Sequence, residues 1–253
     1  RTERKLQNRS IMNTRTLGTG TWISVGAPVI TEAVAGMGFD WLLIDLEHGS
    51  MTEADLLPNL HAAAASGVKV IVRIGEFRPS LVGRVLDFGA AGIMVPHVSD
   101  AATAARIVSA MRYPPHGERG FSTSTRSFGY GARAPKEMSG WEAPLLLAQI
   151  EDYEGVLEAE RIAAVDGVDM LFVGPRDLGL DLSVRPVERT LDFDEALQRV
   201  AKAAHACGKQ AGILVRDTTD IPKLRGYGFT ALAAGSDLGI LRSGYKQLIQ
   251  AFE

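Results

Sequence analysis

Glu151 and Asp177 are the residues of this sequence best suited to hold a hard cation. Each follows a short apolar run, 145–150 and 170–174. Two carboxylates at the same end of neighbouring strands repel each other strongly in a partly dry environment. A divalent cation removes that repulsion, and two carboxylates with water make an oxygen-rich octahedral site suited to Mg²⁺, Mn²⁺ or a similar ion. Spacing leaves a second reading open, in which each carboxylate pairs with an arginine or faces water. Arg73 follows Val70-Ile71-Val72. An arginine closing a buried strand needs a strong anionic partner, and its fork fits a substrate carboxylate; an ion pair with Glu47 or Asp45 is the competing reading. His48 lies three residues after Asp45, a carboxylate placed to orient an imidazole and raise its basicity. His61, His116 and His205 read as ordinary hydrogen-bonding residues, with His97 intermediate. Gly174-Pro175-Arg176-Asp177 reads as a turn into a short helix, with proline at the first helical position and free backbone N–H groups able to receive an anion.

These residues share a position type: the end of a short apolar run. Eight such runs, rich in β-branched residues, read as buried parallel strands at 20–25, 41–45, 70–74, 92–95, 145–150, 170–174, 211–215 and 231–235. Helical patterns lie between them at about 29–37, 52–66, 79–88, 100–111, 153–165, 194–207, 218–227 and 237–252. One helix-to-strand joint recurs as Gly38-Phe39-Asp40, Gly167-Val168-Asp169 and Gly228-Phe229-Thr230, with Gly89-Ala90-Ala91-Gly92 a looser copy. Glycine there ends a helix in the left-handed conformation. The repeated unit predicts an α/β chain folded as one (β/α)8 TIM barrel over residues 1–253. An open doubly wound sheet would carry a glycine-rich phosphate loop after its first strand, and Ser24-Val25-Gly26-Ala27-Pro28 is not one, so no nucleotide cofactor is expected. Residues 1–17 read as an N-terminal arm or helix. Residues 112–143, rich in Gly, Pro, Ser, Thr and Arg, read as a long loop folded over the barrel mouth.

Composition narrows the function. Over 253 residues, 46% are hydrophobic and 23% charged, which fits a globular chain and excludes a disordered or collagen-like one. Lys and Arg number 27 against 30 Asp and Glu, a net charge of −3, without the basic excess of a nucleic-acid binder. No apolar run reaches the ~18 residues of a membrane span, and residues 1–15 lack a secretory apolar region, so a cytoplasmic protein is expected. Cys207, the single cysteine, excludes an intrachain disulfide and a cysteine zinc cluster. Lys69 and Lys209 touch strands at their starting ends, and Lys5, Lys136, Lys202, Lys223 and Lys246 fall on the tail, the long loop or helices. No lysine is placed for a Schiff base, so carbonyl chemistry would need a metal as its electron sink.

Taken together the segments resemble the HpcH/HpaI family of metal-dependent pyruvate aldolases. The resemblance is carried by Gly20-Thr21-Trp22, by residues 38–48, by Val72-Arg73, by residues 112–120, and by Gln149-Ile150-Glu151. It continues through Gly167-Val168-Asp169, Phe172-Val173-Gly174-Pro175-Arg176-Asp177-Leu178 and Gly212-Ile213-Leu214. Gly235-Ser236-Asp237-Leu238-Gly239 with Arg242-Ser243 looks most like the branch acting on dehydro-deoxy aldarates. The resemblance implies reversible cleavage of 4-hydroxy-2-oxo acids to pyruvate and an aldehyde. It implies a divalent metal (Mg²⁺, Mn²⁺ or Co²⁺) on Glu151 and Asp177, with Arg73 on the pyruvate carboxylate and Gln149 supporting the metal or the oxo acid. It further implies His48, oriented by Asp45, in proton transfer, and backbone groups around Gly174, Pro175 and Arg176 receiving the carboxylate. Trp22 and Leu214 would wall the aldehyde side. It implies small-molecule partners and a hexamer of dimers that exchange a C-terminal helix, here 237–252, with Leu238, Leu241, Tyr245, Leu248 and Phe252 as its apolar stripe. His97, Leu180-Asp181-Leu182 and Phe121-Ser122-Thr123 depart from the family pattern and bear on the aldehyde half. A citrate-lyase-like acyl-CoA lyase or thioesterase is the alternative, with Arg126, Arg133 and Lys136 able to meet CoA phosphates; a non-catalytic metabolite-binding barrel is the third reading.

Overall fold

The computed structural model describes residues 15–136, 141–186, 188 and 190–252. The chain alternates strand and helix throughout: β1 (Thr19–Ile23), α1 (Pro28–Ala35), β2 (Trp41–Asp45), α2 (Glu53–Ala64), β3 (Lys69–Arg73), α3 (Pro79–Asp87), β4 (Gly92–Val95), α4 (Ala101–Met111) and β5 (Leu145–Ile150). There follow α5 (Tyr153–Leu157), α6 (Ala159–Ala163), β6 (Met170–Val173), α7 (Pro175–Val184), α8 (Phe193–Ala206), β7 (Gln210–Val215), α9 (Ile221–Gly226), β8 (Ala231–Ser236) and α10 (Asp237–Gln250). All strand pairs are parallel, and β8 closes onto β1 through Thr19↔Leu232 and Gly20↔Ala233, giving a closed eight-stranded barrel. The recurrent joint is real: Gly38, Gly89, Gly167 and Gly228 have φ of +92°, +89°, +106° and +101°. One predicted helix differs. The 153–165 pattern divides into α5 and α6 at Glu158, whose φ of −89° and ψ of 0° fall outside the helical region. Among the described residues no helix is long and apolar enough to cross a membrane.

Period-two alternation sorts every strand into two cores. One set of side chains, including Leu42, Ile44, Val72, Ile93 and Val173, packs outward against the helices. The other, including Trp22, Trp41, Leu43, Ile71, Met94, Leu147, Met170 and Phe172, fills the lumen. Trp41 and Phe172 meet edge to face, with centroids 6.1 Å apart at 86°, and Trp22 sits over them at 6.3 and 5.7 Å. A Cβ at Gly20 would overlap the Trp41 ring, so that glycine makes room for the plug. The same parity carried past the last strand residues fixes what enters the mouth. Trp41 and Leu43 lead to Asp45, Ile71 to Arg73, Leu147 to Gln149 and Glu151, and Gly212 and Leu214 to Arg216.

The segment expected over the mouth lies at the other end. It joins the end of α4 to the start of β5, and a helix-to-strand connection returns to the end where strands begin. Its Arg119 binds Asp87 at 2.7 Å, and its Arg126 donates to the Phe88 carbonyl at 2.7 Å, both at the C-terminal end of α3. With Lys69, Ala91 and Leu145, which stand at strand starts, it walls a cavity of about 600 Å³. Of the expected N-terminal arm, residues 1–14 lie outside the described residues. Arg15 is tied to the same far end by Asp169 and the Ala143 carbonyl, at 2.7 Å each.

Candidate active site

Where the strands end, a cavity of about 800 Å³ opens, lined among others by Trp22, Asp45, Arg73, Leu214, Arg216 and Ser236. Its charged floor begins with Asp45 on β2 and Arg73 on β3, paired in register. Asp45 is 2% exposed and takes Arg73 Nε at 3.0 Å and Nη2 at 2.7 Å, while Arg73 Nη1 reaches Glu47 Oε2 at 2.9 Å. Burial works to lower the Arg73 pKa, but the hydrogen bond and charge of Asp45, with the charges of Glu47 and Glu151, hold it above its ordinary value. Guanidinium carries five N–H donors. Three are engaged by the two carboxylates, so one on each Nη remains for a ligand. Trp22 lies beside the guanidinium, 5.7 Å from ring centroid to Cζ.

Asp45 does not orient the His48 ring. Its Oδ1 accepts the backbone N–H groups of Glu47 at 3.0 Å and His48 at 3.2 Å. The chain turns sharply after β2, so nearness in sequence brings the His48 backbone, not its side chain, to the carboxylate. The imidazole is 67% exposed with Nε2 3.9 Å from Glu47 Oε2.

Glu151 is 3% exposed. Its Oε1 accepts from Gln149 Nε2 at 2.7 Å and its Oε2 from the His97 backbone N–H at 3.1 Å. Burial pushes its pKa up to about 8; the His97 N–H pulls down, the charges of Asp177 and Glu47 push up, and Arg73 pulls down. His97 presents that N–H from a left-handed backbone, φ +52°, which costs a non-glycine residue ~1–2 kcal/mol. Gly174 is needed for close approach. A Cβ there would overlap Glu151 Oε1 and come within 2.7 Å of its Cγ and 2.9 Å of Gln149 Nε2. Pro175 starts α7 and places half-buried Asp177 in its first turn. The Gly174 N–H is already bonded to the Ile150 carbonyl at 3.1 Å, so only the first-turn N–H groups of Arg176 and Asp177 are left for an anion.

Among the described residues no group of three or more His, Cys, Asp or Glu side chains is gathered as a ready metal cage. The donor set nevertheless fits a hard cation. Glu151 and Asp177 interact electrically across the site, and Gln149 Oε1 is buried without a hydrogen-bond partner. Two carboxylate groups and an unpaired amide oxygen, completed by water or substrate oxygens, match an octahedral ion of the Mg²⁺ type.

Sequence reading assigned no part to the His97 N–H or to Arg216. The first depends on a backbone conformation that no residue type signals. The second was legible, since Arg216 follows Gly212 and Leu214 at period two.

Replacing Gly174 with alanine displaces the Glu151 carboxylate while leaving the strand ladder intact. Misplacement by about 1 Å can cost ~100-fold in rate. The expected result is a kcat at least ~10-fold lower with Mn²⁺ affinity weakened in parallel and an unchanged circular dichroism spectrum; unaltered Mn²⁺ affinity would show that Gly174 does not hold the carboxylate in place.

The fold and this cluster define a (β/α)8 enzyme of the carbon–carbon lyase class. A family model described as HpcH/HpaI aldolase/citrate lyase matches residues 18–243, and the chain belongs to that family. It is 38% identical to a 5-keto-4-deoxy-D-glucarate aldolase of Klebsiella pneumoniae subsp. pneumoniae over 240 residues, 92% of this chain and 91% of that one. A solved HpcH/HpaI aldolase/citrate lyase family protein from Burkholderia cenocepacia superposes with a TM-score of 0.86 at 33% identity, covering 98% of both chains. The citrate synthase SbnG superposes at 0.79 with 31% identity, over 98% of this chain and 96% of that one. The chain is an aldolase acting on small molecules, and the acyl-CoA alternative is not favoured.

Proposed function

We propose that this aldolase reversibly cleaves 4-hydroxy-2-oxo acids to pyruvate and an aldehyde, using a divalent cation held by Glu151 and Asp177. The observation that carries the reading is Glu151: a carboxyl group pushed up to about 8 by burial, beside a second acid and an unpaired amide oxygen, at the mouth of the barrel. Such a carboxyl is costly to ionise alone and is stabilised by a cation. A cation bound there supplies Lewis-acid stabilisation of the negative charge that the 2-oxo group acquires as the C3–C4 bond breaks.

The chain's own residues do the rest. Arg73 directs its two free N–H groups at the pyruvate carboxylate and adds fixed positive charge where the enolate develops. Asp45 and Glu47 hold that guanidinium still. Gln149 fixes one Glu151 oxygen and turns its own carbonyl towards the site. The first-turn N–H groups of Arg176 and Asp177 offer a further carboxylate contact. Trp22 and Leu214 face the aldehyde side. His48, exposed beside Glu47, moves the C4-hydroxyl proton by way of water. A CoA substrate has less support: Arg126, Arg133 and Lys136 belong to the loop at the far end of the barrel.

The test is pyruvate release from a 4-hydroxy-2-oxo acid, and its aldol formation from pyruvate and a panel of aldehydes, with Mg²⁺, Mn²⁺ and Co²⁺ against EDTA. Full turnover in EDTA defeats the reading. Oxaloacetate decarboxylation is expected as a side activity, because it passes through the same enolate.

Assembly belongs to the same proposal. On α10 and just beyond it Leu238, Ile240, Tyr245, Leu248, Ile249 and Phe252 are between 55% and 87% exposed. An apolar face of this kind marks a protein contact. We place it against a second copy, as in a dimer exchanging this helix within a hexamer. Leu248→Glu is expected to lower the mass measured by light scattering; an unchanged mass removes this helix from the interface.

A further inference from the structure

Two cations at the mouth have no partner. Arg216 follows β7 directly, and Arg176 stands in the first turn after β6. Val173 and Ile213 pair in register, so each arginine lies three residues past a paired position on adjacent strands, and both line the 800 Å³ cavity. Every other charged lining residue is committed. Arg73 is held by Asp45 and Glu47. Lys223 is held by Asp194 at 2.7 Å and also feels Asp220. Asp217 accepts the Thr219 N–H and hydroxyl at 2.9 and 2.7 Å. Among the described residues Arg176 and Arg216 alone of the lining cations have neither an ion pair nor a hydrogen bond, and both are exposed.

Their place relative to the acid cluster matters. Leu214 separates Arg216 from the lumen and stands on the aldehyde side of the site proposed above. Arg216 is two residues further out, roughly 6–7 Å along the strand direction. A molecule with its 2-oxo acid end at Arg73 and Glu151 therefore extends past Leu214 towards the two guanidinium groups. Paired guanidinium groups at the end of a partly apolar passage recognise a carboxylate.

We propose that Arg176 and Arg216 form a distal anion subsite, and that the aldehyde half of the natural substrate carries a carboxylate. The inference rests on the aldolase reading and adds to it the acceptor class, an acidic aldehyde rather than a neutral one, so the compound cleaved is a dicarboxylic 4-hydroxy-2-oxo acid.

The experiment compares two four-carbon aldehydes, succinic semialdehyde and butanal, as acceptors for pyruvate with Mn²⁺ present, product being quantified by chromatography. The readout is the ratio of their kcat/KM values. Wild type favours succinic semialdehyde. In Arg176→Ala/Arg216→Ala the ratio falls about 10-fold or more, the loss expected for charge-assisted hydrogen bonds, and Arg216→Lys retains part of the preference. Raising NaCl from low to high concentration lowers the wild-type ratio, because the subsite is exposed and screened. A wild type without preference, or a double variant whose ratio stays within twofold of wild type, overturns the subsite while leaving the aldolase reading standing. A wild type that joins pyruvate to neither aldehyde defeats both. Exposed side chains can be removed with little effect on folding, and circular dichroism of each variant verifies that.

Discussion

Replacing Glu151 with alanine is expected to abolish divalent-cation binding and catalysis together. Calorimetric titration of Mn²⁺ into the metal-free variant should give no saturable site, and pyruvate release should fall by about 10³-fold or more, the several kcal/mol that Lewis-acid stabilisation supplies. Glu151→Gln separates this from a structural defect. The Glu151 pKa is pushed up to about 8 from an ordinary 4.5. Between those values the folded apoprotein binds more protons than the unfolded chain, so its stability is full below about 4.5 and declines as pH rises through about 8. A glutamine keeps the buried hydrogen-bond acceptor and never ionises. Metal-free Glu151→Gln should therefore melt at or above the wild-type Tm at pH 8.5 while binding no Mn²⁺. For wild type, added Mn²⁺ competes with the proton, so its affinity rises with pH up to about 8. A variant fully active in EDTA ends the metal assignment.

Arg73→Ala should cost both stability and activity. Removing the guanidinium leaves Asp45 and Glu47 close together and largely shielded from water, with side chains 3% and 13% exposed. Breaking a buried pair from one side costs about 3–5 kcal/mol, which lowers Tm by roughly 10 °C in a chain of this size. The kinetic effect is distinct: the pyruvate KM rises and kcat falls, because the same side chain binds the ground state and stabilises enolate charge. Arg73→Lys should recover much of the stability through its charge but little of kcat, since an ammonium cannot reproduce the bidentate grip on Asp45 and still present two donors. An unchanged kcat/KM in Arg73→Ala rules out its proposed role, whatever happens to Tm.

The barrel was legible because two signals agreed. Eight β-branched runs alternated with amphipathic stretches, and one glycine joint recurred at the strand starts. Both are local properties of sequence, and the structure returns them with boundaries shifted by a residue or two. The line from Trp41 to Asp45 and from Ile71 to Arg73 was equally readable, since strand parity dictates which side chains enter the lumen. What failed was non-local or depended on the backbone path. Residues 112–143 were assigned to the mouth on their Ser, Thr and Arg content, although a segment leading from a helix into a strand must reach the opposite end. His48 was paired with Asp45 on sequence distance alone, and a sharp turn after β2 defeats that rule. For Arg73 the structural and functional readings had been set against each other. The geometry accommodates both, because the carboxylates use three of its five donors.

The stacked rings of Trp22, Trp41 and Phe172 leave no passage through the molecule, so everything that enters must leave by the same door. With the oxo acid seated deeper than the aldehyde, departure has an order: the aldehyde goes first and pyruvate follows. In the synthetic direction the queue is reversed, and pyruvate must arrive before its partner blocks the way.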